Sequence, residues 1–460
     1  MLQRIRTLRD EFGPMTRLAI PVVMAELGWV TMGLVDTLMV GRLGAEAIGA
    51  VGLGSSMFIG VVVFAMGLLL GMDTLDSHAF GAGRLDECHR WLVHGTTLAV
   101  LLTLPLTVLL WWTTGSLEAL GLEPAVLALT RPYLSVVNWS VLPLLLYAAF
   151  RRYLQGMGVV RPVMIALISA NVVNAILNWV LIFGKFGAPA LGVAGAAWAT
   201  VGSRIAMSGF LLAVIVYREW GERPGLFETP LRIEWEWMRR LVRLGAPAAA
   251  QITLEVGVFA ASTALAGRLA AVALAAHQIA INIAALTFMV PLGVASAGAV
   301  RVGHAIGRRD PEGAARAGWT ALLLGAGFMS LAATAFVLAP SVLIGAFTND
   351  PRVLALGATL LMIAAVFQLF DGLQGVATGV LRGLGDTRTP MIWNLVGHWF
   401  VGLPLGYTLC FTLGYGAVGL WWGLSCGLII CGVALLVTWH RKSRAADRIH
   451  PVLHQETFDA

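Results

Sequence analysis

Long apolar runs separated by short polar segments set the pattern of this chain. Twelve of them reach the roughly 20 residues that a helix needs to cross a ~30 Å hydrocarbon core: 15–40, 46–72, 91–112, 128–150, 162–183, 193–217, 244–267, 270–298, 317–339, 353–380, 391–413 and 417–439. No strand-like alternation competes with them. Backbone groups in lipid must be satisfied within their own segment, so each run is predicted to be a transmembrane α-helix. An all-α polytopic membrane protein follows. The first run is too long for a signal peptide and lacks a small-residue cleavage site, so it is expected to remain as helix 1.

Composition agrees with that reading. Only 12% of the 460 residues are charged and 58% are hydrophobic, with a mean hydropathy of +0.81; a soluble chain carries about 25% charged residues. The net charge of +6 would suit a polyanion, but the basic residues fall in short segments between apolar runs and form no contiguous face. A nucleic-acid partner is therefore not expected. With a cytoplasmic N-terminus, 25 of the 31 Lys and Arg fall on the inner side, five lie outside, and Arg204 sits within helix 6. That bias places both termini in the cytoplasm, in a cytoplasmic (inner) membrane. Cys88, Cys410, Cys426 and Cys431 have no CxxC spacing, and the three that sit in or beside apolar runs read as small buried hydrophobes.

The chain also repeats. LAIP at 18–21 returns as LGAP at 244–247, and GRL at 41–43 as GRL at 267–269. LQGMG at 154–158 matches LRGLG at 381–385, and GVAGAAW at 192–198 matches GAVGLWW at 416–422. The offsets are all close to 226, which makes each half a six-helix unit. An even helix number gives both halves the same orientation, so two lobes related by a pseudo-two-fold axis along the membrane normal are predicted. The expected organisation is an N-terminal lobe at 1–217, a cytoplasmic loop at 218–243, a C-terminal lobe at 244–442 and a cytoplasmic tail at 443–460.

Ionisable residues within spans mark candidate chemistry, since a carboxylate there costs about 2.5–3.5 kcal/mol even on the lenient insertion scale. Asp36 lies toward the outer end of helix 1. Helix 5 carries Asn171, Asn174 and Asn178 at i, i+3 and i+7, on one face, and helix 6 adds Thr200 and Ser203. Such oxygens suit a hard monovalent cation or a proton network; interhelical packing is the alternative. Glu255 and Asp371 fall near the middle of helices 7 and 10, each on a polar stripe with Gln251 or with Gln368 and Gln374. The pair could share a proton or hold sodium. His277, Gln278 and Asn282 on helix 8, with Asn394 and His398 on helix 11, are candidates for the same C-terminal cavity. Glu26 is offset about 80° from Asp36 around helix 1 and reads equally well as a structural pairing. Sixteen Met and sixteen Trp would serve a promiscuous cation site as readily as packing and interfacial anchoring. Pro21 and Pro247 occupy matching positions of the repeat, where a paired bend is plausible.

The segments GLVDTLMVGRLGAEAIGAVGLG at 33–54 and GMDTLDSHAFGAGR at 71–84, with LQGMGVVRPVM at 154–164 and LRGLGDTRTPM at 381–391, resemble the multidrug and toxic compound extrusion (MATE) family, most closely its bacterial NorM-like branch. The resemblance spans all twelve helices. It implies a secondary antiporter that exports organic cations in exchange for H+ or Na+ by alternating access. No further cofactor is expected, and a monomer in the lipid bilayer is the expected form. The resemblance also implies cation or proton binding at Asp36, Asn174 and Asn178, and a functional role for Glu255 and Asp371. Any Na+ would sit at Asp36 or at Glu255 and Asp371, and no other metal is expected. Sodium-coupled members of that branch tend to carry tyrosine four residues before the helix 10 acid, where this chain has Phe367. The coupling ion thus stays open. A lipid-linked oligosaccharide flippase is the alternative of related architecture, but it calls for a strongly basic cavity, and only Arg204 is a clear base inside a span. No HExxH motif or P-loop supports an enzyme or an ATP-driven pump.

Overall fold

The structure, a computed structural model, describes residues 2–120, 123–221 and 225–444. Arg223 and the tail beyond residue 444 lie outside the described residues. Among the described residues there is no strand, and twelve helices are long and apolar enough to span a membrane. They are α1 (Asp10–Leu43), α2 (Ala45–Gly81), α3 (Leu85–Gly115), α4 (Pro124–Gly156), α5 (Arg161–Phe183), α6 (Val193–Gly221), α7 (Trp235–Ala266), α8 (Ala271–Gly307), α9 (Pro311–Leu338), α10 (Pro351–Gly383), α11 (Arg388–Thr412) and α12 (Gly416–Arg444). The predicted all-α architecture holds, but several helices run past the apolar runs that announced them.

The chain divides into two compact units. The first contains Leu27–Phe80 and Arg84–Ala249, and the second Met1–Glu26, Gly81–Gly83 and Ala250–Ala460. The division passes through α1 after Glu26 and through α7 after Ala249.

In the first unit, α2 is interrupted at Leu69–Leu70 and restarts as Gly71–Gly81. This second piece is polar, which is why the apolar run ends at 72, yet Gly71 through Ala79 are all buried. Asp73 is matched there by Arg152 at 3.2 Å. Arg151 and Arg152 count among the 25 basic residues of the inner-side bias but are not loop charges; both belong to the helical piece Val141–Gly156. That piece follows a tight turn at Asn138–Ser140 which breaks α4. Pro143 has no N–H to return to the carbonyl of residue 139, so the α-helical ladder cannot run through this point unbroken. α5 begins with proline in its first turn and ends at Gly184, whose left-handed conformation (φ 66°) turns the chain back toward α6.

In the second unit, Asp310 and Asp350 cap α9 and α10 by accepting hydrogen bonds from the backbone N–H of Gly313 (2.7 Å) and Arg352 (2.9 Å), each followed by proline at the helix start. A core around Trp439 and Leu435 of α12 takes in Met15 and Ala19 of α1 together with small residues of α8, α9 and α10. α11 departs from regular geometry, widening into π-helical turns at Leu395–Gly402 and Thr408–Thr412 on either side of Pro404. It packs on α12 through glycines. A Cβ on Gly423 would run into the backbone of Gly406, and one on Gly427 into the carbonyl of Gly397. Such contacts bring helix backbones together where lipid supplies no hydrophobic drive.

Candidate functional site

The first unit builds a cluster around Asp36, which is buried on α1. Asn178 of α5 donates from Nδ2 to Asp36 Oδ1 at 2.6 Å, and Thr200 of α6 donates to Oδ2 at 3.1 Å. Asn178 Nδ2 also donates to Asn174 Oδ1 at 3.0 Å, so the two amides act as a chain one helical turn apart. Hydrogen bonds to an ionised partner contribute about 1.5–3 kcal/mol each, and these offset part of the cost of burying the carboxylate. Asn174 Nδ2 and Asn178 Oδ1 are buried without a partner, which leaves unused hydrogen-bonding capacity beside the acid.

The other polar residues of this region are used elsewhere. Asn171 turns to the carbonyls of Gly28 and Leu167, both at 2.9 Å, and Ser203 to the carbonyl of Ala199 at 2.7 Å. One turn beyond Thr200, Arg204 donates from Nη1 to Ser140 Oγ at 2.5 Å and lies 4.5 Å from the centre of the Phe58 ring. Tyr133 and Ser55 share a hydrogen bond of 2.9 Å nearby. Glu26, also buried, falls in the second unit rather than with Asp36.

The second unit contains a cavity of about 480 Å³. Its wall is chiefly apolar and aromatic, with Phe259, Phe288, Phe367 and Trp421, and into it project Gln251, Glu255, Asn282, Asp371, Gln374, Thr378 and Arg382. Gln251 Nε2 donates to Glu255 Oε2 at 2.6 Å and Asn394 Nδ2 donates to the same oxygen at 3.4 Å. Asp371 lies within electrostatic reach of Glu255. Two ionised carboxylates in one apolar chamber repel each other, and a proton, a metal cation or an organic cation relieves that repulsion. The volume falls within the range of small-molecule sites.

Not every candidate reaches this chamber. His277 is held on both sides: Trp421 donates to Nδ1 at 3.0 Å, and Nε2 meets Thr263 Oγ1 at 3.0 Å. Both ring nitrogens are committed to packing, with the Trp N–H fixing Nδ1 as acceptor. Gln278 is exposed on α8. Gln368 donates to Thr287 at 2.5 Å and to the sulfur of Met329 at 3.6 Å. His398 is buried in the π-helical turn, outside the cavity lining, with its ring 6.4 Å from that of Phe259.

Thr378 and Arg382 line the cavity unforeseen, although a signal existed. With Asp371 and Gln374 they form the series i, i+3, i+7, i+11, one face of α10. Arg382 also counts among the 25 basic residues of the inner-side bias, which masks its place on that face. Tyr133, Ser55 and Ser140 gave no such signal, because their part in the first cluster depends on contacts between helices.

A profile of the MatE family matches residues 21–180 and 247–408. The chain is 40% identical over 445 residues to a probable multidrug resistance protein NorM of Mesorhizobium japonicum, covering 95% of each protein. It is 38% identical over 439 residues to a multidrug resistance protein NorM of Burkholderia vietnamiensis, covering 94% of each. Among solved structures, a eukaryotic MATE transporter matches with a TM-score of 0.86 at 21% identity, covering 96% of this chain and 100% of that one. A Vibrio cholerae MATE transporter in a bent form matches with a TM-score of 0.84 at 20% identity, covering 97% and 100%. At these identities the structural matches speak to the fold.

Proposed function

The chain belongs to the MATE family of membrane transporters, and from that premise we propose that it exports bulky organic cations in exchange for protons or sodium ions. The observation that carries the reading is the second unit's cavity, where apolar and aromatic walls surround Glu255 and Asp371. An organic cation needs both features: apolar surface for its body and negative charge for its head. The names of the relatives, multidrug resistance proteins, support export of small molecules.

Coupling follows from competition for charge. A carboxylate neutralised by a proton, or occupied by sodium, no longer offers its charge to the drug, so loading of one favours release of the other. The membrane potential contributes about 2.3 kcal/mol per elementary charge per 100 mV to such an exchange. Asp36 with Asn174, Asn178 and Thr200 forms a second acidic site for the coupling ion. The Lys and Arg bias supports an inner-membrane protein with both termini cytoplasmic, and we take the working unit to be a monomer. The flippase alternative is less favoured, because two acids face a single arginine, Arg382, in the cavity lining, the reverse of what a pyrophosphate requires.

Purified protein in vesicles loaded with ethidium provides the test. Efflux should follow an imposed pH gradient or an imposed sodium gradient, and should be lost when Asp36→Asn, Glu255→Gln and Asp371→Asn are combined. Efflux that persists in that triple variant, or that responds to neither gradient in the parent, rejects the reading.

A further inference from the structure

Arg204 is a full positive charge inside a span without an ion-pair partner among the described residues. Its side chain is buried, Nη1 donates to Ser140 Oγ, the guanidinium faces the Phe58 ring, and Nε has no hydrogen-bond partner. Replacing such a group by an apolar one of similar length avoids a large desolvation cost. Packing alone does not call for an arginine here.

Its surroundings are specific. Asp36 of α1, Phe58 and Ser55 of α2, Tyr133 and Ser140 of α4, Asn174 and Asn178 of α5, and Thr200 of α6 compose the neighbourhood. Of these only Asp36 and Tyr133 titrate, and Asp36 is the acid whose charge acts on Arg204. Arg204 lies one turn from Thr200, which holds Asp36 Oδ2. The pair is close enough to interact and too far apart for direct contact.

We propose that Arg204 selects the coupling ion at Asp36, a fixed positive charge that keeps sodium away from the carboxylate and reserves it for a proton. The proposal rests on the reading of Asp36 as a coupling-ion site. A unit charge one to two helical turns away, in a medium of effective dielectric ~20, weakens binding of another monovalent cation by on the order of tenfold or more. Sodium held by one carboxylate and a few neutral oxygens has little affinity to spare. A proton suffers the same repulsion but bonds covalently to the carboxylate, and an apolar interior favours the resulting neutral carboxyl over any retained ion. The donors already on Asp36 fit this role. The Asn178 amide N–H and the Thr200 hydroxyl occupy one carboxylate oxygen each, so an incoming cation meets an acid whose two oxygens are already engaged by donors. The charge of the cluster then alternates between zero with Asp36 ionised and plus one with it protonated, and the protonated state repels an organic cation as well.

The test needs no transport. Full-length protein carrying Glu255→Gln and Asp371→Asn, which removes the other acid pair, is purified in detergent and its Tm measured as sodium replaces choline at constant ionic strength. With Arg204 present, Tm should not respond to sodium specifically. Arg204→Gln and Arg204→Met should each gain a sodium-specific rise in Tm, saturating at least tenfold below any concentration at which the parent responds. Adding Asp36→Asn should abolish that rise, and Arg204→Lys should behave as the parent. A sodium response that depends on Asp36 while Arg204 is present overturns the proposal, as does a folded neutral variant with no response. Failure of both neutral variants to fold, with Arg204→Lys folded, would assign Arg204 a structural role only and also overturn it. Absence of drug efflux would reject the exporter reading and leave this binding result intact.

Discussion

The contact between Asn178 and Asp36 makes a prediction with a definite size. At 2.6 Å, buried and with a carboxylate as acceptor, this hydrogen bond belongs to the class that contributes about 1.5–3 kcal/mol. Asn178→Ala removes the donor and leaves Oδ1 of Asp36 without its partner. At about 1.4 kcal/mol per decade, kcat/KM for gradient-driven ethidium efflux should fall by roughly 10- to 100-fold. A loss of that size could also come from disturbed packing on α5, so the informative measurement is the double-mutant cycle with Asp36→Asn. If Asn178 acts through Asp36, adding Asn178→Ala to the Asp36→Asn variant should cost less than about threefold. Efflux is measured in vesicles reconstituted with equal amounts of monodisperse protein. Additive losses across the cycle, or a near-normal rate for Asn178→Ala alone, would refute a working contact between the two residues.

Further predictions concern stability and packing. Trp421→Phe keeps a ring beside Phe367 but removes the donor to Nδ1 of His277; stranding that buried acceptor should cost about 1–3 kcal/mol and lower Tm by roughly 2–6 °C in detergent, and an unchanged Tm would show that the contact contributes nothing. Gly423→Val drives side-chain atoms into the backbone of Gly406 and should abolish the monodisperse peak on gel filtration, whereas Gly52→Ala, with open space around it, should elute as the parent does. Asp386, just outside the spans, is raised by burial but lowered further by hydrogen bonds from Lys442 (2.6 Å) and Thr389 and by the lysine charge, so its carboxyl sits below the ordinary range. Its contribution is therefore complete above the usual aspartate value near ~3.9 and disappears as pH falls through the lower native value. Asp386→Asn should accordingly destabilise the protein at neutral pH, with the gap to the parent closing in the acid range; a gap that widens on acidification would contradict the assignment.

Much of this protein is legible in one dimension. Runs of about 20 apolar residues must become helices in lipid, because nothing there except the segment itself can satisfy the backbone. The acids stand out for the same reason, since Asp36, Glu255 and Asp371 are costly where they are. The i, i+3, i+7 spacing even identifies which amides share a helix face. Partners are another matter. Asn171 belongs to the same stripe as Asn174 and Asn178, yet it turns to a backbone carbonyl of α1 while Asn178 reaches Asp36. His277 and His398 look alike as intramembrane histidines, yet only His277 is held between Thr263 and Trp421. The polar piece Gly71–Gly81 lies almost wholly beyond the apolar run 46–72 and is nevertheless buried helix, where Arg152, about 80 residues away, pairs with Asp73.

The physical reason lies in the solvent. In water, an apolar stripe must turn inward, so hydropathy reveals both a helix and its rotation. In a bilayer the lipid is as apolar as the protein core, and a hydrophobic face reveals only that the helix spans. The twelve helices and their costly acids were therefore set by the chain alone. Which amide meets which acid, and that Arg204 stands over the cluster of Asp36, was decided by interhelical contacts between residues far apart in the chain.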